Sequence, residues 1–206
     1  MKNAMLKPLG IALAVAAVAG AGLFVGMPSS TASVNIPPPG TIDVCAGFKS
    51  HPVRFPGGPI VTSTTTGGIQ VQVGTHFVTT DKRNGANLNI QLLQSSGQVE
   101  GLGFVEVGID STRSAGASSV VANQTGTDYP ATQTMKFFPT ITIDGKEYRA
   151  LTAANLVNSA VASTPPPVGT TYVLTNEIGL ESVDNPGKVA LYIEPGKAFT
   201  VTGHKF

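Results

Sequence analysis

The sequence predicts an all-β domain, an antiparallel β-sandwich or jelly-roll-like fold with one short helix near 152–162, preceded by an N-terminal signal peptide. Three observations predict it. Charged residues make up only 12% of the 206, and Thr, Ser, Gly, Val and Asn dominate, a mixture suited to strands and tight turns. Apolar residues recur with a period of two in about nine to twelve short segments. Asn-Gly, Asp-Gly and Pro-Gly dipeptides punctuate those segments, and each is a turn former.

The chain opens on an address. Lys2 and Lys7 are followed by no charge until Asp43, and residues 11–19 are Ile, Leu, Ala and Val alone. From Leu9 to Val25 there are 17 uncharged residues, fewer than the ~20 a membrane-spanning helix needs. Gly20, Gly22, Gly26 and Pro28 loosen the exit, and Ser30-x-Ala32 supplies the small residues of a signal-peptidase site. Cleavage is expected after Ala32, with Ser33 as second choice and an uncleaved anchor as the alternative. No Arg-Arg pair marks a folded-protein export route, and Cys45 follows Ile42-Asp43-Val44, not the small-residue run of a lipid attachment site. Residues 1–32 are thus a signal peptide, 33–40 a Pro-rich lead-in and 41–206 a single domain that is secreted, periplasmic or at the cell surface.

The lead-in carries Pro37, Pro38 and Pro39, which remove donors and keep the backbone extended. Thr41 to Phe48 alternates, with Ile42, Val44, Ala46 and Phe48 on one face and Asp43 and Cys45 on the other. His51 to Pro59, with Pro52, Pro56, Gly57, Gly58 and Pro59, reads as a loop. Ile60 to Thr66 and Ile69 to Val73 read as strands on either side of Gly67-Gly68. The second continues through Thr80 to a tip at Asp81-Lys82-Arg83-Asn84-Gly85, and Leu88, Ile90 and Leu92 return.

Val99 to Asp110 is a strand with Val105, Val107 and Ile109 on one face, and a short strand is expected around Ser119 to Ala122. Met135 to Ile143 and Lys146 to Ala150 flank Asp144-Gly145, with Pro139 marking a kink or an edge. Ala153, Leu156, Val157, Ala160 and Val161 have helical spacing behind a cap at Thr152, and Pro165-Pro166-Pro167 ends the run. The tail reads as a meander over Thr170–Ile178, Lys188–Ile193 and Ala198–Gly203. Its corners are Asn185-Pro186-Gly187-Lys188 and Glu194-Pro195-Gly196-Lys197.

Composition excludes several function classes. Without Lys2 and Lys7 the 13 basic residues fall to 11 against 12 acidic ones, so no field gathers phosphates and nucleic acid is a poor partner. A single cysteine, Cys45, offers no disulfide framework, and it is expected to be a small buried side chain. A membrane barrel is disfavoured because the face ending in Phe206 carries His204, Thr202 and Thr200.

No catalytic motif stands out. Glu106 and Asp110 share a strand face at about 13 Å, wide for paired-carboxylate chemistry, and read as two solvated charges. There is no Gly-x-Ser-x-Gly, no Ser-x-x-Lys and no pair spacing among His51, His76 and His204. No clustered zinc pattern occurs, so no cofactor is expected; calcium through Asp128, Asp184 and Asn185 is the one ion considered. Asn123-Gln124-Thr125 matches a glycosylation acceptor. The candidate ligand-binding residues are Lys49, His51 and Arg54, in a stretch bracketed by Phe48 and Phe55 that suits an anion or polar headgroup.

The resulting expectation is an exported, non-enzymatic binding or structural protein of matrix, coat or adhesion type. Its ligand would be a protein, glycan or lipid, with self-association open and no membrane span after signal cleavage. A secreted hydrolase drawing on His51, His76, Asp110 and Glu106, or a fibre subunit, is the alternative.

Overall fold

A computed structural model describes residues 35–204 except residue 59, and not the side chains of residues 48–51, 60, 63 and 197. The expected signal peptide lies outside the described residues. Thirteen strands follow one another: β1 (Ile42–Arg54), β2 (Ile60–Val78), β3 (Asn84–Val99), β4 (Gly103–Ile109), β5 (Ser118–Ala122), β6 (Ala131–Phe137), β7 (Pro139–Ile143), β8 (Lys146–Ala150), β9 (Ala154–Val161), β10 (Thr171–Leu174), β11 (Ile178–Ser182), β12 (Asn185–Ile193) and β13 (Gly196–His204).

Their pairing makes one closed barrel instead of two stacked sheets. One antiparallel circuit runs β1-β2-β3-β4-β7-β8-β11-β12 and returns to β1; a second runs β1-β2-β3-β5-β6-β9-β10-β13 and also returns to β1. Each circuit has eight positions. β1, β2 and β3 are long enough to serve both, whereas the other five positions are each split into two strands in series: β4 with β5, β6 with β7, β8 with β9, β10 with β11, β12 with β13. The chain therefore rises and falls around an eight-position up-and-down barrel with a lower level (β4, β7, β8, β11, β12) and an upper level (β5, β6, β9, β10, β13). Closure is double: Val53↔Ile193 below and Cys45↔His204 above.

The sandwich expectation is corrected here. Alternating faces serve a sandwich and a barrel equally; the pairing of the first position with the last decides between them, and no local pattern encodes it. The helix near 152–162 is corrected as well. That segment is β9, buried at Ala154, Leu156 and Val161 and laddered to β6 and β10. Asn155, Val157 and Asn158 are poor helix formers, so two ladders outweigh a local apolar period. The stretch His51–Arg54 is strand, not loop, paired as His51↔Ser63 and Arg54↔Ile60. Gly67-Gly68 lies inside β2, not at a turn. Glu194-Pro195-Gly196 is a break between two strands in series, not a hairpin corner, and the corner before β12 is Val183-Asp184.

Several other elements fall near where the sequence puts them. β2 and β3 meet at a tip over Thr79–Arg83, where Lys82 takes φ 62°, not at Asn84-Gly85, which opens β3. Asp144 and Gly145 take φ 46° and 80° between β7 and β8, the twist-matched two-residue hairpin. Pro139 marks the kink between β6 and β7, and the short strand expected near Ser119 is β5.

The interior is packed. Ile69, Leu93, Ile178, Leu180, Leu191 and Phe199 are among its fully buried side chains, as expected of a barrel whose eight strands leave room only for their own side chains. A void of about 30 Å³ remains near mid-height, lined by Leu93, Val107, Phe137, Leu174, Ile178 and other apolar residues. It is too small for an organic ligand. Outside, Gln70, Gln91 and Gln72 form a side-chain ladder with bonds of 2.8 and 2.9 Å across β2 and β3, the reverse of a lipid-facing band.

Long strands in so narrow a barrel must coil tightly, and glycine makes room. A Cβ on Gly67 would lie 1.9 Å from the Gln94 carbonyl oxygen and 2.4 Å from Ser95 Cα. Gly67→Ala is expected to lose about 2 kcal/mol or more of unfolding free energy in urea. Gly203→Ala, with nothing within 4 Å of its Cβ, should change it by less than about 0.5 kcal/mol. Equal stability of the two variants would contradict the close approach.

Candidate functional site

On β1 the inward row is the polar one. Asp43 and Cys45 are buried, whereas Ile42 is 51% exposed, so the face that carries Ile42 turns outward and the face of Cys45 turns inward. Opposite them stands His204. Regular alternation from the buried Val201 would place Gly203 inward and His204 outward, but the ladder pairs Gly47 with Val201 and Ala46 with Gly203, a bulge of one extra residue on β13. The bulge reverses the phase, and His204 joins Asp43 and Cys45.

The three side chains make a compact triangle. The Cys45 thiol donates to Asp43 Oδ2 at 3.0 Å, His204 Nδ1 lies 3.3 Å from Asp43 Oδ1, and Cys45 Sγ lies 3.8 Å from His204 Nδ1. Side-chain exposures of 13% for His204 and 8% for Asp43 leave little water there. Burial, reinforced by the hydrogen bond and negative charge of Asp43, pushes the Cys45 thiol far above the usual thiol range. A thiol so held is a donor to the carboxylate and not a ready nucleophile. Close by, the Tyr172 hydroxyl donates to Gln133 Oε1 at 2.9 Å, both residues buried, and burial, followed by Cys45, Asp43 and Tyr129, raises its pKa strongly.

Above this interior cluster the upper mouth is open as a cleft of about 780 Å³. Asn35, Ile36, His76, Asn84, Asp128 and Tyr129 are among its lining residues. Its wall is fixed by Asp128, which accepts from the Ile36 amide at 2.9 Å and from Asn84 Nδ2 at 2.7 Å. Ile36 is thereby held in the core at 6% exposure. His76 Nε2 lies 2.7 Å from the Pro37 carbonyl; a carbonyl only accepts, so Nε2 carries the proton and the neutral ring keeps its lone pair on Nδ1. Burial raises the pKa of Tyr129, with neighbouring Thr164 opposing it, and among the described residues neither hydroxyl has a hydrogen-bond partner of good geometry.

Of the residues named from sequence, His76 and Asp128 line this cleft, and Arg54, Glu106 and Asp110 do not. Arg54 is committed: its Nε meets Glu194 at 2.6 Å, its Nη2 meets Glu177 at 3.1 Å, and its guanidinium lies 4.5 Å from the Tyr192 ring centroid. The side chains of Lys49 and His51 lie outside the described residues. Glu106 is exposed on β4, and Asp110, just past that strand, accepts from Thr112. The calcium constellation does not assemble: Asp128 is at the upper mouth, Asp184 and Asn185 at a lower turn. Asn123 bonds the Ser159 carbonyl through Nδ2 and accepts from Thr132. Cys45 is buried as expected. The missed residues are Asp43, His204, Tyr172 and Gln133; Asp43-x-Cys45 is a visible one-face pair, but the bulge that adds His204 leaves no mark in the sequence.

No protein-family model and no curated protein matches the chain. Among solved structures it is similar to DynF from the dynemicin biosynthesis pathway of Micromonospora chersina. The two share 18% identity with a TM-score of 0.67, over 88% of this chain and 94% of that one. The likeness is one of fold. It overturns the expectation of a non-enzymatic matrix, coat or adhesion component. That expectation was attached to a β-sandwich, and the chain instead forms a closed barrel that it shares with a protein of a biosynthetic pathway.

Cys45 is the single thiol of the chain. Ellman's reagent should find almost none in the native protein and one per chain in denaturant. Rapid native labelling would place Cys45 at the surface.

Proposed function

We propose that the protein is a small-molecule barrel of enzyme type, which seats a compact organic intermediate of a biosynthetic route in its mouth cleft. The supporting observation is the cleft itself, about 780 Å³ with one imidazole in its wall. The volume is within the range of pockets that enclose small ligands, and barrel mouths are a recurrent place for them. Ile36, Tyr129, Pro130 and Ala162 offer apolar contact, and His76 and Asn84 offer polar contact.

Asp128 serves as a clamp, its two oxygens holding the Ile36 amide and Asn84. His76 is different. Its Nε2–H is spent on Pro37, so Nδ1 is the atom that can take a proton from a bound molecule and return it, the ordinary work of a positioned imidazole. DynF, by its name, belongs to a biosynthetic pathway; this chain's likeness to it supports the class of ligand and nothing finer.

The test is NMR of the ¹⁵N-labelled chain against a panel of small phenols, ketones and carboxylic acids. At least one compound should shift amides clustered at His76, Asn84, Asp128 and Tyr129. His76→Ala should weaken it about tenfold, one hydrogen bond's worth. Shifts that are absent, scattered over the barrel, or indifferent to His76→Ala would overturn the proposal.

A further inference from the structure

Asp43, Cys45 and His204 present three different ligand atoms within 4.8 Å of one another, and the dimensions of that triangle carry a second meaning. A tetrahedral zinc ion holds thiolate sulfur at about 2.3 Å and imidazole nitrogen or carboxylate oxygen at about 2.0 Å. Ligand atoms at the corners of such a tetrahedron are then about 3.3 Å apart for nitrogen and oxygen and about 3.5 Å apart for sulfur and either partner. The observed edges are 3.3 Å for His204 Nδ1 and Asp43 Oδ1, 3.8 Å for Cys45 Sγ and His204 Nδ1, and 3.0 Å for Cys45 Sγ and Asp43 Oδ2. The imidazole and thiol distances to Asp43 end on different carboxylate oxygens, so a single oxygen meets both only after the carboxylate turns about its Cβ–Cγ bond; the thiol–imidazole edge itself is within a few tenths of an ångström of the tetrahedral value. The third is a thiol–carboxylate hydrogen bond, which lengthens when the thiol proton leaves.

We infer that Asp43, Cys45 and His204 form a binding site for a divalent transition ion of zinc type, with three protein ligands and a fourth position for water or another small ligand. The inference goes beyond the mouth-cleft reading and does not depend on it. Three arguments support it. A thiolate and a carboxylate balance the two charges of the ion, so the occupied site is neutral in a buried setting where an unbalanced charge would be costly. The mixed sulfur, nitrogen and oxygen donor set suits zinc or cobalt and not calcium or magnesium, which take oxygen. The β13 bulge turns His204 to the side where it completes the set, and bulges recur where a side chain must be re-aimed.

Binding breaks two bonds to hydrogen and makes three bonds to the ion. The Cys45 S–H proton passes to buffer; the proton on His204 Nδ1, which faces Asp43, is exchanged through solvent for one on Nε2, so a neutral imidazole stays neutral. The thiolate, Nδ1 and a carboxylate oxygen then coordinate the ion, and no electron changes hands. One proton is therefore released per ion bound.

The experiment uses the full chain, stripped with a chelator and titrated with Co²⁺ and Zn²⁺. One equivalent of Co²⁺ should give a tetrahedral visible spectrum and a thiolate-to-cobalt charge-transfer band, both displaced by Zn²⁺. Calorimetry of Zn²⁺ in two buffers should return one proton per ion. Cys45→Ser should abolish the charge-transfer band, and His204→Ala should weaken binding beyond the roughly 100-fold that loss of an outer-shell partner costs. Absence of the band in the unsubstituted chain overturns the site without reliance on any variant. Zinc held equally well by Cys45→Ser and His204→Ala assigns it to other histidines and overturns the site too. Neither result touches the cleft, whose own test reads amides around His76.

Discussion

Everything in this barrel hangs on the three unbroken strands. β1, β2 and β3 belong to both pairing circuits, so the upper and lower levels share one wall and cannot register independently. The other five positions break at mid-height, which allows each level its own twist. The shared wall is not broken and coils over as many as 19 residues in β2, relieved only by register shifts against β3 at Gln70/Val71 and Val73/His76. Glycine makes that coiling sterically feasible. At Gly67 the partner backbone occupies the place of a Cβ, and at Gly47 the Phe199 ring does, 2.6 Å from it. The mid-height void and the strand breaks are two sides of the same compromise: the levels join where regular ladders stop, and packing is least complete there.

The polar interior follows from closure. A closed barrel has one inside, and in its upper level that inside holds Asp43, Cys45, His204, Gln133 and Tyr172 among apolar neighbours. Burying such groups is costly unless they satisfy one another. They largely do, through the thiol–carboxylate, imidazole–carboxylate and tyrosine–glutamine contacts. A fold selected for stability alone would fill these places with Val and Leu; the lower level buries a polar pair too, Thr65 and Ser95, but these are neutral hydroxyls bonded to each other at 3.0 Å. Local departures of this kind mark the places where a protein gives up stability for chemistry. The mouth cleft lies over the same level, with Tyr129 in its wall and in electrostatic reach of Tyr172.

Much of the fold was legible in the sequence, and the boundary of legibility is physical. Hairpins were readable because their cause is local: Asp144-Gly145 needs positive φ, and the residues that tolerate it are few. Strand alternation was readable in Val105, Val107 and Ile109 for the same reason. Closure was not, because it depends on contacts such as Cys45 with His204, 159 residues apart. β9 looked helical because Ala153, Leu156, Val157 and Ala160 satisfy a local period, while the ladders that make it a strand come from β6 and β10. On β1 alternation separated Ile42 and Val44 from Asp43 and Cys45 without saying which face turns inward; the barrel encloses Asp43 and Cys45. Hydrophobic burial alone does not lead to a buried carboxylate. His204 needed one further fact, a single-residue bulge, which periodicity cannot reveal.

The claim that the shared wall governs the molecule is tested most directly by native-state amide hydrogen exchange, residue by residue, on the folded chain. If β1–β3 tie both levels together, amides such as those of Val53, Val71 and Leu93 exchange only through global unfolding and are the slowest, while β11, β12 and β5 open earlier. Faster exchange in β2 and β3 than in β11 and β12 would contradict the account.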